Sequence, residues 1–424
     1  MSVLLKLPNN GPSFGPAVFF RFATLIFFFS LEMAHEPPNH NDCIAYYTKR
    51  DLILYAMGIG CDPDEVSERK YLYERHEAFS AFPLFPLALS FRAIQRQDDK
   101  NIRAVGIASE KYFDIPPFPP PSMSMQNFDG LSSSSNSMLL HLGQKFWSHE
   151  PLPSTYVDAE SNNVSAVPMM TSTKVVSIQP KKKGLLIVSE TDFSIPIAFD
   201  NEKNRSMEPH DGVIHPNHTV ATSQTTTLYL LPTVIVSKIP AFVNLPNRSN
   251  LNAVDVPPKK KVVRTIMKKH DPNHVQSHDI PSNQAFLYRL SGDSNPIHVD
   301  DRQVPPMFGG KPILHGLCTL GYAVRSVLLY CNGQDDWDLK FADCQFVSPL
   351  FVGDSIDVCI WDMTYHTGSS CDKSRPINCT DKRWVLFQVR QASEGTVLVD
   401  NGMVLLHKKP EQNYLGPDIV QSKL

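Results

Sequence analysis

An aspartate and a histidine stand close together in the second half of the chain, in the stretch Asp293-Ser-Asn295-Pro-Ile-His298. A Ser-Gly pair before it predicts the end of a helix over residues 283–290, and the proline stiffens the loop, so we expect both side chains to turn to one side. A carboxylate and an imidazole that converge on a water molecule can hold it, remove its proton and return one, which is the chemistry of adding water across a double bond and needs no metal. The pattern leaves open which of the two takes the proton. Each residue alone could also be structural, Asp293 as a helix-terminating cap and His298 as a loop residue bonded to backbone.

A helix start provides a second chemical group. His315 and Gly316 stand at the beginning of a long apolar stretch. A backbone N–H in the first turn of a helix has no partner within the helix and lies at the positive end of the helix dipole, so the Gly316 amide can polarise a carbonyl oxygen. In a thioester conjugated to an alkene, negative charge builds on that oxygen as water attacks C3. The alternative is that Gly316 only permits close packing of the helix.

The elements around these residues indicate the fold. Leu317, Gly321, Val324 and Leu328 recur at helical spacing within Pro312–Tyr330, which predicts a helix that is apolar on nearly all sides. Two-residue alternation of apolar side chains then predicts strands around 356–360, 385–389 and 397–406. A helix with so little polar surface must be covered on most sides, and a curved antiparallel sheet wrapped around it does so. The predicted fold class is α+β, of the hot-dog type.

The composition excludes several classes of protein. The chain has 424 residues, and 40 Lys and Arg against 43 Asp and Glu give a formal charge of −3, which argues against a nucleic-acid-binding protein. Hydrophobic residues make up 42%, enough for two to three folded domains. Eight cysteines in no Cys-x-x-Cys spacing predict reduced thiols rather than a disulfide framework or a zinc motif.

We divide the chain into two globular units. The predicted boundaries are an N-terminal extension (1–42), a first unit (43–245), a linker (246–277) and a second unit (278–421). Polar or Pro/Ser-rich stretches predict loop-like insertions at 115–137 and 201–227, and a looser region at 364–381. The linker carries a Lys run that we interpret as a solvated connector.

Two long runs resemble a known family. YRLSGDSNPIH (Tyr288–His298) followed by KPILHGLCTLGYAVR (Lys311–Arg325) resembles the hydratase 2 motif of the MaoC-like family, and within it is most similar to the peroxisomal 2-enoyl-CoA hydratase 2 enzymes and the hydratase unit of the type 2 multifunctional enzymes. Residues 50–65, 79–89 and 138–154 are similar to the family's first, non-catalytic hot-dog unit. The resemblance covers most of the chain from about Tyr46.

The resemblance implies a double hot-dog in which the second unit carries the chemistry and the first makes room for the acyl chain. The implied reaction is the reversible syn hydration of a trans-2-enoyl-CoA to a (3R)-3-hydroxyacyl-CoA in fatty-acid β-oxidation. Asp293 and His298 would activate the water, Asn295 would hold the loop and the water, and the Gly316 amide would polarise the thioester. No cofactor is implied beyond the CoA of the substrate, and we expect a homodimer with no nucleic-acid partner.

Other residues receive weaker predictions. His315 is expected beside the substrate, and Phe146 and Trp147 either line the acyl pocket or belong to the core. Cys318 is expected to be a packing thiol. His270, His274 and His278 recur at every fourth position, but a proline interrupts any helix there, so we expect no metal site.

The two ends of the chain carry addressing signals. The apolar stretch Phe19–Leu31 is of signal-peptide length and too short to span a membrane, while Ser422-Lys423-Leu424 is the tripeptide that the peroxisomal import receptor reads. We therefore expect a peroxisomal protein without a membrane span.

Two other functions remain possible on the sequence. After His298 the family has a helical turn that Pro305-Pro306 would not suit, and a misplaced Asp293 would leave a catalytically silent acyl-CoA-binding protein. The other is a dehydratase of 3-hydroxyacyl thioesters in a synthetic pathway.

Overall fold

The computed structural model describes residues 41–95, 138–154, 156–157, 164–182, 184–195, 218–230, 236, 241–243, 255–332, 336–363 and 381–409. All of them belong to one compact unit that begins at Asn41. No helix in these ranges is long and apolar enough to cross a membrane. The predictions on the N-terminal stretch, on 115–137, on 364–380 and on the C-terminal tripeptide lie outside the described residues.

The first half combines long strands with short helices. Its strands are β1 (Asn41–Tyr47), β2 (Ile94–Gln95), β3 (Met138–Ser148), β4 (Tyr156–Val157), β5 (Val164–Ser165), β6 (Val167–Lys181), β7 (Gly184–Ile195), β8 (His218–Leu230) and β9 (Phe242–Val243), and its helices are α1 (Lys49–Gly58), α2 (Arg69–Leu72) and α3 (Phe85–Leu89). Helix α1 begins at a capping box, because the Thr48 N–H and hydroxyl both donate to Asp51. The predicted insertion at 201–227 is wrong from His218 onward, since the threonines there are β-branched and form β8.

The second half contains the long buried helix. Its elements are α4 (Lys260–Lys269), β10 (His274–Asp279), α5 (Gln284–Tyr288), α6 (Gly316–Cys331), β11 (Trp337–Phe346), β12 (Ser355–Asp362), β13 (Lys382–Gln391) and β14 (Val397–Lys408). The helix predicted from Pro312 is confirmed as α6, which begins four residues later because His315 keeps an extended backbone. The three predicted strand regions are confirmed as β12, β13 and β14.

One antiparallel sheet joins the two halves. The strand order is β10-β12-β13-β14-β11-β3-β8-β7-β6-β1-β2, and β3 pairs with β11 at the junction. Thirteen of the sixteen residues of α6 are buried, in a core shared with inward-facing residues of both halves. This explains why the helix is apolar on nearly all sides: the sheet covers one side of it and the first half covers another.

Helix α4 corrects the prediction of a solvated linker. Val263 and Met267 lie one helical turn apart, are buried, and pack on the outer face of β11–β14, while the Arg264 Nε donates to Asn401 at 3.0 Å. The Lys-rich composition hid this narrow apolar stripe, because two buried positions suffice for a helix that lies on a sheet. The following residues continue into β10 rather than a connector.

The two halves also contact each other through α6. A Cβ at Gly321 would lie 2.3 Å from Ile59 Cγ2, so only glycine permits this close approach of α6 to the end of α1. Four residues further on, Arg325 forms a buried bidentate ion pair with Glu68 at 2.6 and 2.9 Å. The position of α6, and with it the helix start at Gly316, therefore depends on the first half.

Candidate active site

The loop that carries the aspartate and histidine, residues 292–298, begins at a glycine. Helix α5 and a 3₁₀ turn over Arg289–Ser291 precede it, and Gly292 has φ +150°, as the predicted helix stop requires. A Cβ at Gly292 would lie 2.4 Å from the Ala88 carbonyl oxygen of the first half. The loop therefore rests directly on α3, and no side chain fits between them.

Asp293 and His298 face each other across a short gap. Asp293 Oδ2 and His298 Nε2 are 3.9 Å apart, and their side chains are only 13% and 8% exposed. This separation is too long for a direct hydrogen bond. With a water oxygen about 2.8 Å from both atoms, the angle Oδ2–water–Nε2 would be about 90°, close to the geometry that water prefers. The pair is therefore spaced to share one water molecule rather than to bond to each other.

Neighbouring groups fix the free atoms of both side chains. The His298 Nδ1–H donates to the Ile313 carbonyl at 2.7 Å, which leaves Nε2 as the acceptor towards Asp293. Asp293 Oδ1 accepts the Asn295 N–H at 3.1 Å, so Oδ2 faces the gap. The Asn295 side chain accepts the Ile297 N–H and caps the turn Pro296–His298. Asn295 thus caps the turn that carries His298.

Burial shifts the pKa values of Asp293 and His298 towards each other. It raises the pKa of Asp293, against the opposing effects of His298 and of the Asn295 N–H. It lowers the pKa of His298, an effect that Asp293 and the Ile313 carbonyl partly offset. Because the carboxyl pKa moves up and the imidazole pKa moves down, passing a proton to and from a bound water costs less than it would with unshifted groups.

The start of α6 lies beside this pair. The His315 ring stacks on the His298 ring with centroids 3.6 Å apart, and its Nε2–H donates to the Asp293 carbonyl at 3.1 Å. Gly316 follows as the first residue of α6, and within the described part of the chain its N–H has no acceptor. A Cβ at Gly316 would lie 3.3 Å from the Phe346 ring. The predicted oxyanion donor is therefore placed next to the predicted acid–base pair.

Three side chains of the site could be considered as metal ligands. Asp293, His298 and His315 each offer one ligand atom, all within 4.8 Å of one another. However, the two imidazole rings are stacked at an interplanar angle of only 27°, so their lone pairs run side by side. A tetrahedral ion about 2.0–2.1 Å from each nitrogen requires lone pairs that converge. The arrangement suits proton transfer better than metal binding.

The two aromatic residues predicted near the acyl chain face opposite sides of the sheet. Phe146 is fully buried in the same core as α6. Trp147, the next residue, packs on the outer face against Phe341, with ring centroids 5.3 Å apart. The structure does not bring Trp147 to the site, because consecutive strand residues point to opposite faces. The core role that the sequence allowed fits both residues.

Cys318 lies in the first turn of α6, where the helix contacts the first half. Its thiol donates to the Gly58 carbonyl at 3.3 Å, and burial raises its pKa. A thiol that stays protonated is a poor nucleophile, so Cys318 is a packing residue. The described cysteines are all buried, and five of them are free thiols: Cys61, Cys318, Cys331, Cys344 and Cys359.

The structure also describes the histidines at every fourth position and the Pro305-Pro306 pair. His274 and His278 belong to β10, and the His278 Nε2 bonds to Ser326 Oγ of α6 at 2.7 Å, so His278 is part of the core. The Pro-Pro pair after His298 does not disrupt the backbone, because Pro306 is the first residue of a 3₁₀ turn, where no N–H is needed.

Two residues near the site were missed by the sequence analysis. The Phe346 ring covers Gly316, and the His141 ring of the first half lies against Phe346 with centroids 4.7 Å apart. Burial lowers the pKa of His141 to about 4, so it is neutral at physiological pH. Their contact depends on the pairing of β3 with β11, for which the sequence contains no local signal.

Comparison with known proteins identifies two sequence families in the chain. Residues 258–374 match the family described as MaoC like domain, and residues 46–109 match the MFE-2 hydratase 2 N-terminal domain. The match to the first family contains the whole 292–298 loop and the start of α6. The match to the second begins in β1 and contains α1, α2 and α3.

Three relatives extend the comparison. The peroxisomal multifunctional enzyme type 2 of Drosophila melanogaster is 25% identical over 74% of this chain and 41% of that protein, so the chain matches less than half the length of that relative. The peroxisomal enoyl-CoA hydratase 2 of Arabidopsis thaliana is 26% identical over 74% of this chain and 82% of that protein. The crystal structure of a MaoC-like dehydratase from Phytophthora capsici superposes with a TM-score of 0.57 at 26% identity, covering 88% of this chain and 97% of that one.

These similarities cover both halves of the described chain. They agree with the continuous antiparallel sheet, the buried helix α6 and the paired carboxylate and imidazole at its start. The predicted double hot-dog fold and the predicted resemblance are confirmed. The chain therefore has a double hot-dog fold, and its matches to the MaoC like domain and the MFE-2 hydratase 2 N-terminal domain support a hydro-lyase.

Proposed function

We propose that the chain is a (3R)-specific 2-enoyl-CoA hydratase that adds water reversibly to trans-2-enoyl-CoA. The observation that carries this proposal is the gap of 3.9 Å between Asp293 Oδ2 and His298 Nε2, next to the amide of Gly316, which has no acceptor among the described residues. Hydration of an enoyl thioester needs these two functions together: a pair that handles the protons of water and a donor that stabilises the enolate oxygen. The name of the Arabidopsis relative supports the substrate class.

In the forward direction, water held between Asp293 and His298 attacks C3 of the substrate. One of the two side chains takes a proton from the water as the C3–O bond forms. The electrons of the C2=C3 double bond move towards the thioester, and its oxygen receives a hydrogen bond from the Gly316 N–H. The dipole of α6 adds to this stabilisation because its positive end lies at Gly316.

The proton then returns to C2 and completes the addition. The carbonyl re-forms, the enolate electrons take the proton from the same side-chain pair, and the product is the 3-hydroxyacyl-CoA. Since the water and the proton both come from one pair, they reach the same face of the double bond, which gives syn addition. The (3R) configuration rests on similarity to the hydratase 2 enzymes. In the reverse direction the pair removes the C2 proton and the site acts as a dehydratase.

Replacing either member of the pair tests the assignment. We expect Asp293→Asn and His298→Gln each to lower kcat for hydration of crotonyl- and decenoyl-CoA by about 10²–10⁴-fold, because the variants cannot take up the proton. Asp301→Asn is the matched control, since Asp301 is an exposed carboxylate just beyond the same loop and should leave kcat within about twofold.

The product is analysed on a chiral column, and the wild type should form only the (3R) isomer. Turnover retained by Asp293→Asn would refute the catalytic role of the Asp293–His298 pair. A wild type that binds both substrates without turning them over would instead support a silent acyl-CoA-binding protein.

The amide of Gly316 can be removed without breaking the helix. Proline is tolerated at the first helical position, and His315 has the extended backbone that precedes proline, with φ −57° and ψ 129°. Gly316→Ala is the control, because it introduces the same Cβ near Phe346 and keeps the N–H. We expect kcat of Gly316→Pro to be about 10²–10³-fold below that of Gly316→Ala. Equal rates of the two variants would show that the amide does not act on the substrate.

The pH dependence follows from the shifted pKa values. Only the unprotonated form of the base accepts a proton, so kcat/KM should rise with pH on an acid limb. The pKa of Asp293 is raised from its ordinary 3.8 and that of His298 is lowered from its ordinary 6.5. The midpoint of the limb should therefore lie above 3.8 if Asp293 is the base and below 6.5 if His298 is the base. A midpoint above 6.5, measured where circular dichroism shows the protein folded, would exclude His298 as the base, and one below 3.8 would exclude Asp293.

We further propose that the enzyme acts in peroxisomal fatty-acid β-oxidation. Ser422-Lys423-Leu424 supports this location, and several relatives are named as peroxisomal enzymes. A fluorescent protein fused ahead of Met1 should give punctate peroxisomal signal that becomes diffuse when these three residues are deleted, whereas Gln421→Ala should leave it punctate. Signal that stays in peroxisomes after the deletion would disprove this route of import.

A further inference from the structure

The 292–298 loop rests on a charged residue of the first half. A Cβ at Gly292 would lie 3.1 Å from Arg92 Cγ as well as 2.4 Å from the Ala88 oxygen. The loop backbone is therefore in contact with the aliphatic part of the Arg92 side chain. Gly292 directly precedes Asp293, so this contact lies one peptide away from the carboxylate that faces His298.

A buried ion pair holds Arg92 in this position. Its Nη1 lies 2.6 Å from Asp51 Oδ1, and the two side chains are 4% and 5% exposed. The other carboxylate oxygen, Asp51 Oδ2, accepts the N–H and the hydroxyl of Thr48 at 2.8 and 2.7 Å, at the start of α1. Arg92 is thus tied to the first helix of the chain, and its stem has little freedom to move.

Asp293 is held from the other side by the second half. Its own carbonyl accepts a hydrogen bond from the His315 Nε2–H at 3.1 Å. The main chain around Asp293 is therefore held at two points, by Arg92 against the preceding Gly292 and by His315 against its own carbonyl. Removing the Arg92 contact leaves the peptide between Gly292 and Asp293 with one of these two contacts.

We propose that the Asp51–Arg92 pair is a positioning element that sets the distance from Asp293 to His298. Arg92 acts through its stem, which contacts Gly292, and the ion pair keeps that stem in place. The inference rests on the proposed function, because the distance matters only if the two side chains share a water molecule. A displacement of about 1 Å is enough to lower catalysis about 10²-fold, so a residue that never touches substrate can still control the rate.

The test compares two double variants that differ only in the aliphatic part of the side chain at position 92. Asp51→Asn with Arg92→Met removes both charges and keeps the Cγ that contacts Gly292, while Asp51→Asn with Arg92→Ala removes the charges and the stem. Neither leaves a buried charge unpaired. We expect kcat of the Ala double variant to be about 10- to 100-fold below that of the Met double variant, with KM changed less than about threefold. Equal kcat values would overturn the inference.

Two further measurements separate positioning from general loosening. Asp362→Asn weakens a different buried ion pair, the one with Arg383 between β12 and β13, and should leave kcat within about threefold while lowering the unfolding midpoint. In an Asp293→Asn background, the Ala and Met double variants should show the same residual rate, because the carboxylate through which Arg92 acts is gone. A loss of the same size in that background would mean that Arg92 does not act through Asp293.

Hydrogen exchange tests the positioning without any turnover. The Asn295 N–H donates to Asp293 Oδ1 at 3.1 Å, so its exchange reports whether Asp293 stays in place. We expect exchange of this amide to be faster in the Ala double variant than in the Met double variant, with α6 amides unchanged. Equal exchange overturns the inference. If the wild type has no hydratase activity but this difference is found, the proposed function fails and the positioning role stands.

Discussion

A carboxyl and an imidazole must stay buried 3.9 Å apart without bonding to each other, and the rest of the site is arranged around this requirement. If they moved closer they would form a direct hydrogen bond and leave no place for a shared water molecule. If they moved apart, each would be a buried polar group without its partner, which is costly. The site meets the constraint by bonding the outer atoms of both groups to the backbone, through Ile313 and Asn295.

The first half of the chain helps to hold the candidate site in place. Its strand β3 continues the sheet into β11, Ile59 and Glu68 fix the position of α6, and Ala88 contacts Gly292 at the beginning of the loop. The two halves are therefore better described as one enzyme unit than as a catalytic domain with an appendage.

Local sequence patterns predicted the residues of the candidate site, but they did not predict contacts between residues that are far apart in the sequence. Asp293, His298 and Gly316 belong to two short runs whose turn, helix start and apolar spacing are all visible in the chain. By contrast, the contact of His141 with Phe346 arises only when β3 pairs with β11, some 200 residues apart in sequence. Helix α4 was missed because charged residues outnumber its two buried ones. Trp147 shows the same limit, because a strand pattern gives two faces and does not say which one meets the substrate.

The central claim is that one oxygen atom lies between the two side chains during the reaction. A crystal structure with a bound (3R)-3-hydroxyacyl-CoA tests it most directly, since the 3-hydroxyl group is the former water. We predict that this hydroxyl lies within hydrogen-bond distance of both Asp293 Oδ2 and His298 Nε2, with the thioester oxygen on the Gly316 N–H. A hydroxyl bound elsewhere, with protein atoms filling the gap between the two side chains, would contradict the account.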